Sequence, residues 1–173
     1  MPNALRFNTV KQIIKDKKQM SKVSDAIILF IAEGAYSGMS PFAPGTAGTL
    51  VGVLLYWGLK NVGPVPYCVL TCLLCIGGTW VAGRAEVLLA KRDSPAIVID
   101  EIAGYLISMF MIPAGGGYIV AGFCLFRIFD VLKPWPLYDL QAVPGGFGVM
   151  LDDIGAGVYT NIMLQIAAYF ISR

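Results

Sequence analysis

Residues 97–112 read IVIDEIAGYLISMFMI, an apolar run broken near its start by two adjacent carboxylates, Asp100 and Glu101. A run of this length and hydropathy reads as a membrane helix. Ionisable groups at the edge of such a segment are expensive to hold there, so their presence points to function rather than decoration. Further apolar runs, punctuated by Gly and Pro, lie at about 47–63, 66–83, 118–132 and 154–171, with a shorter half-span at 25–36. The fold class expected is therefore all-α, an integral membrane multi-helix bundle. Several runs fall short of the roughly 20 residues that cross a bilayer. Either they recruit neighbours such as Gly83 to Leu89, or the chain is a compact bundle partly sunk in lipid. Composition agrees with a membrane class: 57% of the 173 residues are hydrophobic and 14% charged, against about 25% charged in soluble domains.

The charges are segregated. Arg6, Lys11, Lys15, Lys17, Lys18 and Lys22 crowd residues 1–24, a basic amphipathic arm suited to anionic lipids of a cytoplasmic leaflet. Residues 25–173 then form a single membrane domain. A basic start followed by IILFIA also resembles a signal peptide, but Glu33 interrupts the run and no small-residue cleavage pattern follows. With the amino terminus in the cytoplasm and five alternating spans, eleven of the 13 Lys and Arg residues fall on the inner face, leaving Lys60 and Arg173 outside. That obeys the positive-inside rule. The same layout puts all 11 Asp and Glu residues on the cytoplasmic side.

Three sequence-distant clusters thereby meet at one depth: Asp100-Glu101 at the start of one span, Arg127-Asp130-Lys133 at the end of the next, and Asp152-Asp153 at the start of the last. Helix capping, Asp at amino ends and Lys at carboxyl ends, is the competing explanation. It suits Asp152 and Lys133, but not two carboxylates that follow Ile97-Val98-Ile99. Arg127 and Asp130, three apart, share a helical face, and Lys133 extends the stripe until Pro134 and Pro136 end it. Oxygen-rich clusters suit Mg²⁺, which takes octahedral oxygen ligands and commonly binds one or two carboxylates with a substrate phosphate. Arg and Lys beside it suit phosphate oxygens, one as a planar fork and the other as a point charge.

The Gly- and Pro-rich stretch around Pro44, Gly45 and Thr46 runs into a helix and reads either as an anion-binding amino terminus or as a Thr46 helix cap. Gly145-Gly146 is either a hinge near phosphate or a turn. The absence of histidine removes histidine nucleophiles and typical zinc hydrolase sites. Cys68, Cys72 and Cys75, spaced on one helical face, read as small buried thiols, with Cys124 elsewhere. Nothing in the charge pattern suggests nucleic acid, and no obligatory protein partner is inferred. What remains is metal-assisted phosphoryl chemistry at a membrane surface, or ion handling.

SGMSPFAPGTAGTL (37–50), IVIDEIAGYLISM (97–109), AGFCLFRIFDVLKPWP (121–136) and GGFGVMLDDIGAGV (145–158), in this order and spacing, resemble the phosphatidylglycerophosphatase A family across residues 34–158. The resemblance implies a multi-pass bacterial inner-membrane, Mg²⁺-dependent phosphatase whose active site faces the cytoplasm. It would convert phosphatidylglycerophosphate to phosphatidylglycerol in phospholipid biosynthesis, with residues 25–173 as the catalytic domain. Carried onto this chain, the motif residues are Asp100, Glu101, Arg127, Asp130, Lys133, Asp152 and Asp153. Asp100, Glu101, Asp130, Asp152 and Asp153 would organise the metal, Arg127 and Lys133 the phosphoryl charge, and Pro44-Gly45-Thr46 with Gly145-Gly146 the substrate loops. One departure stands out: family members usually carry Arg in the segment matching 137–143, and this chain has none there. Two rivals fit less well. A CDP-alcohol phosphatidyltransferase lacks its dense Asp-Gly-Ala-Arg signature here, and a cation transporter calls for midplane charge and inverted repeats.

Overall fold

The computed structural model describes residues 21–172. Five cations of the basic arm, from Arg6 to Lys18, lie outside the described residues. Among those described, seven α-helices and one 3₁₀ turn occur and no strand: α1 over 21–32, the turn Ser37–Met39, α2 Pro44–Leu59, α3 Pro64–Leu89, α4 Ile99–Ser108, α5 Gly116–Leu132, α6 Leu137–Gln141 and α7 Gly146–Ile171.

α4 is the axis of the bundle. It packs against α2, α3, α5 and α7, and of its 10 residues only Glu101 and Ile107 are not buried. Its crossing with α7 is close because both partners are glycine there. A Cβ on Gly104 would stand 2.6 Å from the backbone oxygen of Asp153 and from Cε2 of Phe126, and one on Gly157 would stand 3.1 Å from Cβ of Ile107. Small residues let two helix backbones approach where lipid offers no hydrophobic drive between them. That approach sets Asp153 beside the first turns of α4.

The helix limits differ from those read in the sequence, each for a local reason. α4 stops at Ser108 rather than continuing to Ile112. Asn161 Nδ2 donates to the carbonyls of Ser108 and Phe110 (3.0 and 2.8 Å), and Gln165 Nε2 donates to those of Phe110 and Met111. These amides take up the carbonyls that a helix end leaves unpaired. α2 and α3 begin earlier than expected, each with Pro in its first turn, where a missing N–H costs nothing. α3 continues through Gly83 to Leu89, the recruitment of neighbours that the sequence allowed, with Gly83 in contact with Gly146 of α7. α7 starts at Gly146, not near 154, so Asp152 and Asp153 sit roughly 10 Å along a helix instead of at its cap. The short α6 was not anticipated.

Among the described residues, α3 and α7, of 26 residues each, are the two helices long and apolar enough to cross a membrane. α2, α4 and α5 have 16, 10 and 17 residues, the shortness that the sequence reading allowed for, so two of the five expected spans reach a crossing length by themselves. Val65, Leu73, Ile76 and Trp80 of α3 and Ile162, Ile166 and Phe170 of α7 face outward, a contiguous kind of apolar exposure that marks an interaction surface. Cys68 and Cys72 share that outward side of α3, Cys75 is half-buried and Cys124 is exposed. The expectation of buried thiols is thus corrected: they are free, and a small apolar thiol suits an outward apolar face as well as a core.

Candidate active site

The loop into α4 explains why two carboxylates follow three β-branched residues. Ile97, Val98 and Ile99 are buried in the cluster formed with α1 and α3, and Val98 N–H donates to Ala32 O at 2.9 Å. Burying that apolar tripeptide carries the first turn of α4 inward, and Asp100 with it. α5 brings Arg127 and Asp130 on its last two turns, and Lys133 follows as the C-cap in the left-handed region (φ 43°). Asp152 and Asp153 come from the second turn of α7. Asp100, Glu101, Asp130, Lys133, Asp152 and Asp153 line one recess of about 200 Å³.

Carboxylate oxygens of Asp100, Glu101 and Asp153 lie within 4.8 Å of one another. Arg127 Nη1 is 2.7 Å from Asp130 Oδ2 and 4.0 Å from Glu101 Oε1. It also donates to Thr49 Oγ1 at 3.5 Å, while that hydroxyl donates to Gly45 O at 2.8 Å. Lys133 Nζ pairs with Asp152 Oδ2 and lies 3.9 Å from Asp130 Oδ1. Burial alone would lower the Lys133 pKa, but the hydrogen bond and charge of Asp152, backed by Asp153 and Asp130, raise it above its ordinary value. The lysine therefore holds its charge in the recess.

Three buried carboxylate oxygens, Glu101 Oε2, Asp152 Oδ1 and Asp153 Oδ2, have no hydrogen-bond partner among the described residues. A buried carboxylate oxygen without a donor is costly, and five carboxylates facing two cations are under-compensated. A hard divalent cation with an oxygen-only donor set answers both facts. The residues present therefore fit a Mg²⁺ site, with Asp100, Glu101 and Asp153 as the converging donors.

The substrate-loop residues separate. Gly45 belongs with the site: a Cβ there would stand 3.0 Å from Arg127 Nη1, so glycine lets the start of α2 close on the guanidinium. Pro44 opens α2 next to it. Thr46 is not the helix cap, since Ala43 holds that position without a side-chain bond. Gly145 and Gly146 line a different recess with Thr79, Trp80 and Arg84, where Gly146 provides the close contact between α7 and α3.

Three residues in the recess were missed in the sequence: Asp93, Ser94 and Gln141. Gln141 Nε2 donates to Asp93 Oδ2 at 2.5 Å, and Arg92 Nη2 donates to Ala142 O and Val143 O at 2.9 and 3.3 Å. The charged turn Lys91-Arg92-Asp93 before Pro95 was the available signal. It places a cation from the facing loop against the very segment that lacks Arg.

The sequence model of the phosphatidylglycerophosphatase A family matches residues 30–168, which contain every element of this site. A Haemophilus influenzae phosphatidylglycerophosphatase A is 35% identical over 149 residues, covering 83% of this chain and 90% of that protein. The Escherichia coli phosphatidylglycerophosphatase A is 35% identical over 168 residues, covering 94% and 91%. A Bacteroides thetaiotaomicron relative, provisionally named phosphatidylinositol-3-phosphatase, is 36% identical over 151 residues, covering 83% and 94%. No solved structure matches significantly. With the family's sequence pattern running through all the helices that build the recess, the chain belongs to the phosphatidylglycerophosphatase A family.

Proposed function

We propose that this protein is a Mg²⁺-dependent lipid phosphatase that hydrolyses phosphatidylglycerophosphate to phosphatidylglycerol and phosphate in phospholipid biosynthesis. The observation that carries the reading is the convergence of five carboxylates, Arg127 and Lys133 at one end of a helical bundle, with three buried oxygens unpartnered. Two named relatives support the substrate. The provisional name of the third differs in headgroup but keeps a phosphomonoester on a phospholipid.

Asp100, Glu101 and Asp153 would hold the Mg²⁺, with Asp130 and Asp152 beside it. The ion would supply Lewis acidity toward a phosphoryl oxygen and lower the pKa of water in the recess. Arg127, fixed by Asp130, Glu101 and Thr49, presents the remaining N–H groups of its fork to phosphoryl oxygens. Lys133 adds a point charge from the opposite carboxylate, Asp152. Positioning and electrostatics of this kind carry most of the rate in phosphoryl transfer. The acyl chains lie along the outward apolar faces of α3 and α7, so lipid phosphates outcompete soluble ones. On phosphatidylglycerophosphate kcat/KM exceeds that on glycerol phosphate by orders of magnitude. Equal efficiency on the two would remove the interfacial part of the reading, and preference for a phosphoinositide would move the headgroup assignment to that of the third relative.

The protein sits in the bacterial inner membrane as a multi-pass chain with the recess toward the cytoplasm, the basic arm of residues 1–24 lying on the anionic leaflet and residues 25–173 forming the catalytic domain. The charge distribution supports this orientation. In a cysteine-free background, a single Cys at the exposed positions Lys91 and Tyr138 reacts with an impermeant maleimide only after permeabilisation, while one at Asn61 reacts from outside. Labelling of Tyr138→Cys in intact cells would put the recess on the wrong face.

A further inference from the structure

The charge balance of the recess does not close with a single ion. Among the described residues, Asp100, Glu101, Asp130, Asp152 and Asp153 face only Arg127 and Lys133, so three negative charges stay uncompensated there and one divalent cation leaves one. The amino end of α4 offers about half a positive charge, which does not reverse the sign, and Asp93 at the rim adds another carboxylate. A phosphate monoester, with a charge of about −1.5 to −2 at neutral pH, would then meet a net negative wall.

The unpartnered oxygens say where the remaining positive charge goes. Glu101 Oε2 and Asp153 Oδ2 belong to the converging triad, but Asp152 Oδ1 does not. Asp152 is 4% exposed, and Lys133 accounts only for its other oxygen, Oδ2. Among the described residues its buried Oδ1 is an acceptor with nothing to accept from, and Asp130 is its neighbour, since Lys133 Nζ reaches both carboxylates. Resting on the metal-dependent reading above, we infer that the recess takes two divalent cations: one on Asp100, Glu101 and Asp153, and a second on Asp152 Oδ1 and the neighbouring Asp130, two carboxylates being enough for an ion that keeps several waters. With both bound the five carboxylates, Arg127, Lys133 and the ions leave one positive charge, which Asp93 at the rim cancels, so an anionic phosphomonoester no longer meets a net negative wall. Paired metal sites of this kind clamp the attacking and leaving oxygens of a phosphoryl transfer.

Mn²⁺, which favours the same oxygen donors, is the probe. Purified full-length protein in nanodiscs, stripped with EDTA and titrated with Mn²⁺, is followed by electron paramagnetic resonance of free and bound ion. The expected result is two Mn²⁺ per chain with a spin-coupled spectrum, falling to one uncoupled ion in Asp152→Asn. A single uncoupled ion in the wild type overturns the second site and leaves the proposed function standing, whereas no binding overturns both. Two coupled ions retained in Asp152→Asn overturn the assignment to Asp152. Should that variant not fold, the wild-type count and coupling decide alone.

Discussion

Asp153→Asn lowers kcat on phosphatidylglycerophosphate by about a thousandfold or more, corresponding to roughly 4 kcal/mol of transition-state stabilisation, while the helical bundle remains intact. The amide keeps the volume of the carboxylate and so keeps the crossing of α4 and α7 at Gly104. It removes an anionic oxygen from a group 3% exposed whose Oδ2 has no partner. In the metal-free protein the same substitution relieves repulsion among like charges, so thermal stability in detergent holds or rises as activity falls. That opposite movement distinguishes a site residue from a helix cap, for which Asp→Asn changes little of either. Asp100→Asn follows the same pattern. Steady-state phosphate release and a thermal scan on the two variants check both halves, and near wild-type rates in both would return the carboxylates to a structural role.

Arg127→Lys lowers kcat/KM by about a hundredfold, the scale of losing one preorganised donor to a developing oxyanion. The substitution keeps the positive charge, so a purely electrostatic role would be spared. Arg127 instead meets Asp130, Glu101 and Thr49 from one planar group, with Gly45 giving it room. A lysine ammonium reaches one of these partners and lacks the fork that matches phosphate. An Arg127→Lys enzyme with wild-type kcat/KM would take the guanidinium out of phosphate recognition.

The helical character of the chain and the meeting of Asp100, Glu101, Arg127, Asp130, Lys133, Asp152 and Asp153 were legible because charge is scarce in so apolar a sequence, and clusters at the start, end and start of successive runs fall at one end of an alternating bundle. Helix limits were less legible, since they depend on partners distant in sequence. Asn161 and Gln165 end α4 from another helix, and Gly146 starts α7 early because Thr79 and Gly83 of α3 press against it. Read locally, Gly146 was a hinge or a turn and Gly83 stood at the limit of a run; in three dimensions they are contacts. The same limit hid Asp93 and Gln141, whose hydrogen bond joins the loop before α4 to α6, an element too short for periodicity to reveal. The outward thiols of α3 were misjudged because an apolar run does not say which of its faces meets the bundle.

The most direct test of the account is phosphate release from phosphatidylglycerophosphate by the purified wild-type protein, before and after exhaustive chelation with EDTA and again after Mg²⁺ is returned. If the buried oxygens of Asp100, Glu101 and Asp153 exist to hold a divalent cation beside the phosphate, turnover disappears on chelation and returns with Mg²⁺. Undiminished turnover in rigorously metal-free protein would contradict it.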